Sequence, residues 1–309
     1  MFKHLLITLD GSRMAESVLP AAKFFARLSG ASIRLVHVIE KNAPGVVHRE
    51  THLRDPQAAD IYLRGIASRW FPDVTGIEIH VHEAAVSDLP RSIVQHASEF
   101  ESDLIFLCTH GSGSGRRVMR GSIAQQVVGL GSAPVFIMHA AGPGDETAFA
   151  CRTILAPVDG KKEHESGLAM ASRLAQAAGA TLHLLMVVRT SGTVAGKWAA
   201  VGLLLPGATA RVLEDEADEA QAYLAGAERE LRQRGIRIVS GVKRGDPATL
   251  VRRVARETRA DLIVLGTHGK SGADAFWNES VASRICAACK APLLLVPVRS
   301  TGAGPRPPD

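Results

Sequence analysis

Short apolar runs alternate with amphipathic stretches along the first half of the chain. Residues 3–9 are nearly all apolar, which is typical of a strand buried on both faces of a sheet. Apolar residues then recur at helical spacing over 13–29, and Gly30 marks the end of that helix. The alternation predicts five strands and four helices, and hence an α/β domain built on a parallel, doubly wound sheet. The remaining predicted elements are strands at 33–39, 77–84, 104–108 and 134–139, and helices at 57–70, 88–100 and 122–130.

The second half of the chain repeats the first. Asp10-Gly11 recurs 149 residues later as Asp159-Gly160, and Thr109-His110-Gly111 recurs 158 residues later as Thr267-His268-Gly269. The change of offset places a net insertion of nine residues in the second copy, whose second predicted helix, 209–234, is longer. An offset of 149–158 residues corresponds to a whole domain, because the repeats of solenoid proteins are much shorter.

We therefore predict two tandem domains, 1–142 and 151–299, joined by a linker at 141–150 and followed by a disordered tail, 300–309. Each domain would hold a five-stranded parallel sheet of the Rossmann-like class. The last strand of each copy would be a sheet edge of the kind that pairs between domains. We therefore expect the two domains to pack as an intramolecular pseudo-dimer, and two chains could associate further as a homodimer.

Composition narrows the class of protein. With 46% hydrophobic residues the chain has enough apolar material for a folded core, which excludes a disordered chain. Four cysteines in 309 residues exclude a disulfide scaffold, and no apolar run approaches the roughly 18–20 residues that span a bilayer. The formal net charge of +5 is mild, and aromatic residues make up only 5%, so no nucleic-acid-binding surface is indicated. We expect a cytoplasmic protein without nucleic-acid or membrane partners.

The segment after the fourth strand has the composition of a phosphate-binding loop. In a doubly wound sheet, ligands bind beyond the carboxyl ends of the strands, where the strand order reverses, and segment 108–122 follows one of those ends. Its glycines would let backbone N–H groups approach an anion, and Gly121-Ser122 begins a helix whose N-terminus favours negative charge. Three arginines add positive charge: Arg116, Arg117 and Arg120. A surface loop with solvated arginines is the alternative.

These features together resemble the universal stress protein family over nearly the whole chain, as a tandem pair. The family's loop pattern is Gly, two residues, Gly, nine residues, Gly, and then Ser or Thr. The first copy supplies Gly111, Gly121 and Ser122 at this spacing, but it has Cys108 in the first position. Both copies also carry the Asp-Gly turn after the first strand and an Ala-Pro pair before the last strand.

The resemblance implies binding of ATP or a related adenine nucleotide, with or without Mg²⁺. It implies that Asp10 contacts the nucleotide or its metal, and that the backbone of Val38 meets the adenine. The implied residues of the first domain are Asp10, Val38, Cys108, Gly111, Gly121 and Ser122. The matching positions of the second domain are Asp159, Val187, Gly266, Gly269 and Ser280. No metal site is expected from the protein alone.

The two implied sites differ in charge. The first loop carries three arginines, whereas in the second loop Lys270 and Asp274 cancel and Glu279 replaces the last glycine of the pattern. At an effective dielectric constant near 20, a like-charge contact at about 4 Å costs on the order of 4 kcal/mol, or roughly a thousandfold in affinity. We therefore expect nucleotide mainly in the first domain. The alternative is that Glu279 faces solvent as an acidic residue at a helix start.

The histidines favour structural roles. His110 and His268 occupy matched loop positions without a second ligand at metal spacing, which favours packing or backbone hydrogen bonding. His80 and His82 alternate on one strand and would face the same way. A metal shared by these two is geometrically possible but is not expected.

A CxxC pattern and an Asp-Pro pair also favour structural roles. Cys286 and Cys289 form the CxxC, but Cys286 corresponds to the apolar helix position Val128 of the first copy, which favours burial over redox or metal chemistry. Asp246-Pro247 is typical of a helix start, with Asp as the cap.

The function implied by the resemblance is that of a nucleotide-dependent regulator or interaction protein in the stress response. The sequence positions no nucleophile beside a base, so we expect at most slow ATP hydrolysis and not a dedicated enzyme. Two alternatives stay open. One is a nucleotide-free interaction module in which both loops are relics, and the other is an enzyme that makes or uses an adenylate.

Overall fold

The computed structural model of the chain divides into two compact units. The first comprises Met1–Cys151 with Lys290–Leu295, and the second comprises Arg152–Cys289 with Val296–Asp309. The structure describes residues 1–41, 46–47, 50–51, 53–109, 123–139, 148–161, 165–193, 200, 204–268 and 281–298. The predicted tail, 300–309, lies outside these residues. None of the described helices is both long and apolar enough to cross a membrane.

The first unit alternates strands and helices as the apolar pattern predicts. In chain order its elements are β1 (His4–Thr8), α1 (Arg13–Glu16), α2 (Leu19–Ser29), β2 (Ser32–Glu40), β3 (Val46–Val47), β4 (Glu50–Thr51), α3 (Pro56–Trp70), β5 (Ile77–Val86), α4 (Leu89–Glu99), β6 (Leu104–Thr109), α5 (Ile123–Leu130) and β7 (Val135–His139). The short antiparallel pair of β3 and β4 has no counterpart in the prediction.

The five longer strands of this unit form a parallel sheet in the order β7-β6-β1-β2-β5. The chain builds outward from β1 through β2 to β5, then returns to the other side of β1 for β6 and β7. The strand order therefore reverses between β1 and β6, and a crevice is expected at their carboxyl ends. This confirms the predicted doubly wound α/β class.

The first predicted helix is wrong in one respect, because two helices replace it. α1 ends at Glu16 and α2 begins at Leu19. Pro20 lies in the first turn of α2. A proline there lacks an N–H group, and its ring would clash with the carbonyl four residues earlier if one helix continued through it. Gly30 ends α2 as predicted, with a positive φ of 64°.

Aromatic packing holds α2 against the sheet. Phe25 of α2 is fully buried and makes edge contacts with Phe106 of β6 and Phe136 of β7, at centroid distances of 5.8 and 5.6 Å. Full burial of such side chains stabilises a fold by about 1.5–3 kcal/mol each. The core thus fixes β6, whose carboxyl end faces the crevice.

The second unit repeats this plan. The elements of the second half of the chain are β8 (Thr153–Val158), α6 (Glu165–Ala178), β9 (Thr181–Val188), α7 (Pro206–Gln233), β10 (Arg237–Arg244), α8 (Pro247–Glu257), β11 (Leu262–His268), α9 (Val281–Ala288) and β12 (Leu293–Val298). Four of its strands are parallel in the order β10-β9-β8-β11. The 28-residue helix α7 confirms the longer helix predicted for this copy.

Strand β12 differs from the prediction of purely parallel sheets. Its residues Leu293–Leu295 belong to the first unit, where they pair antiparallel with Val135–Ile137 of β7. The sheet of the first unit therefore carries an antiparallel strand from the C-terminal end of the chain.

The start of the first strand is held in the same way in both units. The carboxylate of Asp103 accepts the backbone N–H groups of Lys3 and His4, at 2.7 and 3.1 Å. Asp261 accepts those of Arg152 and Thr153, at 2.8 and 2.9 Å. The repeat therefore extends from sequence to individual hydrogen bonds.

Candidate functional site

The turn after β1 presents a carboxylate at the crevice. Oδ1 of Asp10 accepts both the backbone N–H and the hydroxyl of Ser12, at 2.9 and 2.6 Å. The Ser12 hydroxyl oxygen in turn accepts the N–H of Ala15 at 3.1 Å and so caps α1. Gly11 between them has a φ of +90°, and a Cβ there would lie 2.7 Å from Cγ of Leu53. Glycine at position 11 is therefore favoured by backbone conformation and by space.

The end of β2 forms the neighbouring wall. Val38 is buried there, and beside it the buried imidazole of His37 contacts two carbonyl oxygens. Nδ1 lies 2.7 Å from the oxygen of Leu9, and Nε2 lies 3.0 Å from the oxygen of Leu53. An N–H of this ring that donates to one of these carbonyl oxygens links β2 to the end of β1 or to the segment before α3.

Cys108 lies near the end of β6 on the other side of Asp10. Its Sγ atom is 3.2 Å from the hydroxyl oxygen of Ser17. Burial raises the pKa of the Cys108 thiol to about 11, the nearby Asp10 carboxylate adds to the rise, and the Ser17 hydrogen bond opposes it. The backbone φ of Cys108 is not positive. The family's glycine is therefore not needed for backbone conformation at this position.

A cleft of about 110 Å³ joins these three positions. Asp10, Val38 and Cys108 all line it. Apolar side chains form much of the remaining described wall, among them Leu89, Ile93 and Ile123. The cleft lies where the strand order reverses, beyond the ends of β1 and β6, as expected for a ligand site in this fold class.

The loop half of the predicted site lies outside the described residues. This holds for Gly111, Gly121 and Ser122 of the first domain, and for Gly269, Glu279 and Ser280 of the second. It also holds for the three loop arginines. The structure therefore brings together Asp10, Val38 and Cys108, and the remaining first-domain residues stay predictions.

The second domain holds its matching carboxylate differently. Oδ1 of Asp159 accepts the backbone N–H of Lys161 at 3.2 Å, and Gly160 has a φ of +72°. Lys161 occupies the position of Ser12 and has no side-chain hydroxyl that could donate to Asp159. Asp159 is exposed, whereas Asp10 is half-buried. Val187 lies on β9 in register with Lys243 of β10.

The backbone of Gly266 lies in close contact with helix α6 in the second domain. It lies on β11 without a positive φ. A Cβ on Gly167 of α6 would stand 2.6 Å from the backbone nitrogen of Gly266 and 3.0 Å from its Cα. Helix and strand therefore touch through their backbones. Ser166, which corresponds to Ser17, has a buried hydroxyl without a hydrogen-bond partner among the described residues.

Sequence reasoning missed the residues that position this site. Ser12 and Ser17 fix Asp10 and Cys108, and His37 fixes the end of β2. One signal was present, since a serine directly after Asp-Gly and before a helix is a preferred N-cap. The Ser17–Cys108 contact joins residues 91 apart and leaves no local pattern.

Comparison with known proteins identifies relatives of the whole chain. The model of the universal stress protein family matches residues 1–139 and 150–297. A universal stress protein of Mycolicibacterium smegmatis is 24% identical over 305 residues, covering 94% of this chain and 96% of that protein.

Solved structures share the tandem fold. The crystal structure of a universal stress protein from Archaeoglobus fulgidus DSM 4304 covers 96% of each chain, at 19% identity and a TM-score of 0.61. The cytoplasmic domain of a prokaryotic cation chloride cotransporter covers 96% of this chain and 95% of its own, at 11% identity and a TM-score of 0.52. At these identities the likeness shows the fold alone.

Proposed function

Because this chain belongs to the universal stress protein family, as a tandem of two family domains, we propose that it binds ATP or a related adenine nucleotide. The proposed domains are 1–142 and 151–299. The nucleotide would bind chiefly in the first of them. Its binding would change the conformation or partner choice of a stress-response protein. The proposed role is that of a regulator and not of a dedicated enzyme.

The convergence of Asp10, Val38 and Cys108 on one cleft carries this proposal. The three positions come from different strands and meet only because β1 lies between β2 and β6. In the sequence the glycine-rich segment follows β6, which ends at Thr109, next to the cleft residue Cys108. A backbone wall, an apolar surface and a phosphate-type loop together suit an adenine nucleotide.

The cleft is suited to binding more than to covalent chemistry. Cys108 is the described lining residue with a nucleophilic thiol, and its raised pKa keeps it protonated at neutral pH. Its polar partner is the Ser17 hydroxyl, which is not a general base. This supports a regulator with at most slow hydrolysis.

A magnesium ion would have to arrive with the nucleotide. Asp10 offers a carboxylate whose Oδ1 already accepts two hydrogen bonds from Ser12. One carboxylate is far short of the six oxygen ligands that Mg²⁺ takes, so nucleotide phosphates and water would supply the others. The residues present therefore fit a nucleotide-bound ion near Asp10.

The second domain is proposed as the weaker site. Asp159 is more exposed than Asp10 and lacks a serine at the capping position. The sequence adds Glu279 where a glycine would meet phosphate. The charge of Glu279 lowers the expected affinity for an anion. The exposed Asp159 is also held less firmly as a ligand for a nucleotide or its metal.

A titration with a fluorescent ATP analogue tests the proposal. We expect one tight equivalent per chain for the wild type. Gly121→Glu should lower that affinity by roughly a thousandfold through like-charge repulsion. The matched variant Glu279→Gly should leave the first site intact and strengthen the second. Asp10→Asn should weaken the tight site, while Asp159→Asn should not.

Two results would decide against this function. If Gly121→Glu and Asp10→Asn both keep full stoichiometry and affinity, the first domain is not the principal site. If the wild type neither co-purifies with nucleotide by mass spectrometry nor binds it, an interaction module is favoured. Turnover of ATP with a carboxylate substrate would instead indicate an adenylate-using enzyme.

A further inference from the structure

Three histidines meet on the first domain, away from Asp10 and Cys108. His80 and His82 lie on β5, the edge strand of the sheet, and His96 lies on α4. Nε2 of His96 is 3.1 Å from Nδ1 of His82, and the rings of His80 and His96 are 4.7 Å apart. Each ring offers one nitrogen, and these nitrogens lie within 4.8 Å of one another. The strand pattern indicated the first two residues, and the fold adds His96.

One ring nitrogen of this cluster lacks a hydrogen-bond partner among the described residues, which is consistent with a ligand at this position. Nε2 of His80 is buried and has no hydrogen-bond partner among the described residues. A buried polar atom without a partner costs about 1–3 kcal/mol, and in native proteins such an atom often marks a bound ion or water. An ion between the three rings would satisfy it.

His96 already has the second contact that metal-binding histidines use. Its Nδ1 lies 3.3 Å from Oε2 of Glu99, one turn further along α4. A carboxylate that accepts one ring N–H fixes the tautomer and leaves the other nitrogen as a lone-pair donor. His96 therefore directs the lone pair of Nε2 towards His82.

The surroundings of His80 and His96 favour the neutral form of these two rings. Burial, followed by the neighbouring histidines, lowers the pKa of His80 and of His96, and Glu99 opposes part of this effect. Arg34 of β2 also lowers the pKa of His80, but its guanidinium lies over Phe100 and pairs with Glu78. A metal ion requires neutral imidazole, so the lowered pKa values of His80 and His96 favour metal binding.

We propose that His80, His82 and His96 form a binding site for a divalent late first-row transition ion, such as Zn²⁺. Imidazole nitrogen suits this class of ion better than Mg²⁺ or Ca²⁺. Three nitrogen ligands at about 2.0–2.1 Å leave a fourth tetrahedral position for water. When the ion binds, Nδ1 of His82 becomes a ligand, and its hydrogen bond with Nε2 of His96 is lost. The single N–H proton of His82 then lies on Nε2. Glu99 acts as a positioning residue.

The second domain provides an internal comparison. The positions that match the three histidines are occupied by Ile238, Ser240 and Val254. No imidazole stands at any of them, so one site per chain is expected. His183 of β9 is a histidine of the second domain and serves as the control residue.

A Co²⁺ titration of the full, untagged chain tests this site, followed by ligand-field absorption and by competition with Zn²⁺. The wild type should bind one ion per chain, with the absorption of a site dominated by nitrogen and oxygen ligands. His82→Gln and His96→Gln should each weaken binding by at least a hundredfold, whereas His183→Gln should not change it. Glu99→Gln should weaken it by about 10–100-fold, the range measured when such a carboxylate is removed.

Two controls distinguish loss of the site from loss of the fold and from binding at cysteine. Circular dichroism checks the fold of each variant, and His82→Gln decides the question if His96→Gln unfolds, because His82 is only half-buried. The titration is repeated with Cys286→Ser and Cys289→Ser combined, which should leave binding unchanged. Absence of binding by the wild type overturns the proposal. So does unchanged binding in His82→Gln, or binding that disappears with the two cysteines.

Discussion

One residue position is used differently by the two domains. In the first, the thiol of Cys108 fills the space at the strand end and contacts Ser17. In the second, Gly266 lets the backbone of α6 approach directly at Gly167. Neither position needs a positive φ. The two domains therefore fill the space between helix and strand differently, with the thiol of Cys108 in the first and with a backbone contact at Gly167 in the second.

The raised pKa of Cys108 makes a chemical prediction. Burial raises it from 9.0 to about 11, so its thiolate fraction at pH 8 is about a hundredfold below that of an ordinary thiol. Alkylation by iodoacetamide should be correspondingly slow and should rise about tenfold per pH unit until about pH 11. Mass spectrometry of the Cys108 peptide measures this rate.

A matched variant supplies the control for that rate. The Ser17 hydrogen bond lowers the pKa of Cys108, so Ser17→Ala should slow alkylation further at a given pH. Labelling of Cys108 at pH 8 as fast as a small-molecule thiol would contradict the burial of this side chain.

At the scale of elements, the approach of α6 to β11 leaves no room for a side chain. In Gly167→Ala the new Cβ would meet backbone atoms of Gly266, which cannot rotate away. We expect a loss of about 1–3 kcal/mol in the free energy of unfolding, the usual cost of overpacking. Urea denaturation measures the change.

Gly226→Ala is the matched substitution in another helix. Gly226 lies within α7, is exposed, and has no atom within 4 Å of a new Cβ. Alanine should stabilise this helix by about 0.5–1 kcal/mol. Equal effects of the two substitutions would show that helix propensity, and not the backbone contact, governs Gly167.

The elements that follow from local pattern were predictable, and those that depend on distant contacts were not. Residues 3–9 predicted β1 because buried strands need an apolar run, and Asp246 marks the start of α8 because it caps Thr249. The break between α1 and α2 depends on one residue, Pro20, within an otherwise continuous apolar stripe. His96 looks like an ordinary helix residue until α4 packs against β5.

The candidate site divides in the same way. Asp10 could be placed at the site from the sequence, because it follows the first strand and ligands in this fold class bind beyond the carboxyl ends of the strands. The bonds from Ser12 and Ser17 that hold the site could not, since the contact to Cys108 spans 91 residues.

At the scale of the whole molecule, the two copies share local hydrogen bonds and backbone conformations, but the division between the two units does not follow the sequence repeat. Asp103 and Asp261 hold the first strand of each unit, and Glu101 and Arg259 share a φ of 50°. Leu293–Leu295 belong to the second copy in the sequence, but they pair with β7 and so are part of the first unit. The C-terminal strand thus completes a sheet that begins at the N-terminus.

Removal of β12 tests this dependence. A chain that ends at residue 289 leaves the edge of β7 without its antiparallel partner, and an unpaired apolar edge promotes association between chains. We expect it to self-associate in size-exclusion chromatography with light scattering. A chain that ends at residue 299 retains β12 and should behave as the full chain does. Identical masses for both truncated chains at all concentrations would contradict the prediction.

The position of Leu293–Leu295 also has a consequence in time. A ribosome that has finished residue 151 must still add more than 130 residues before this strand exists. At about 5–20 residues per second, the edge of β7 stays open for on the order of ten seconds or more while the second domain is synthesised. The N-terminal domain is therefore the first to begin folding and among the last parts of the molecule to be completed, and in that interval its unpaired strand edge can associate with other chains.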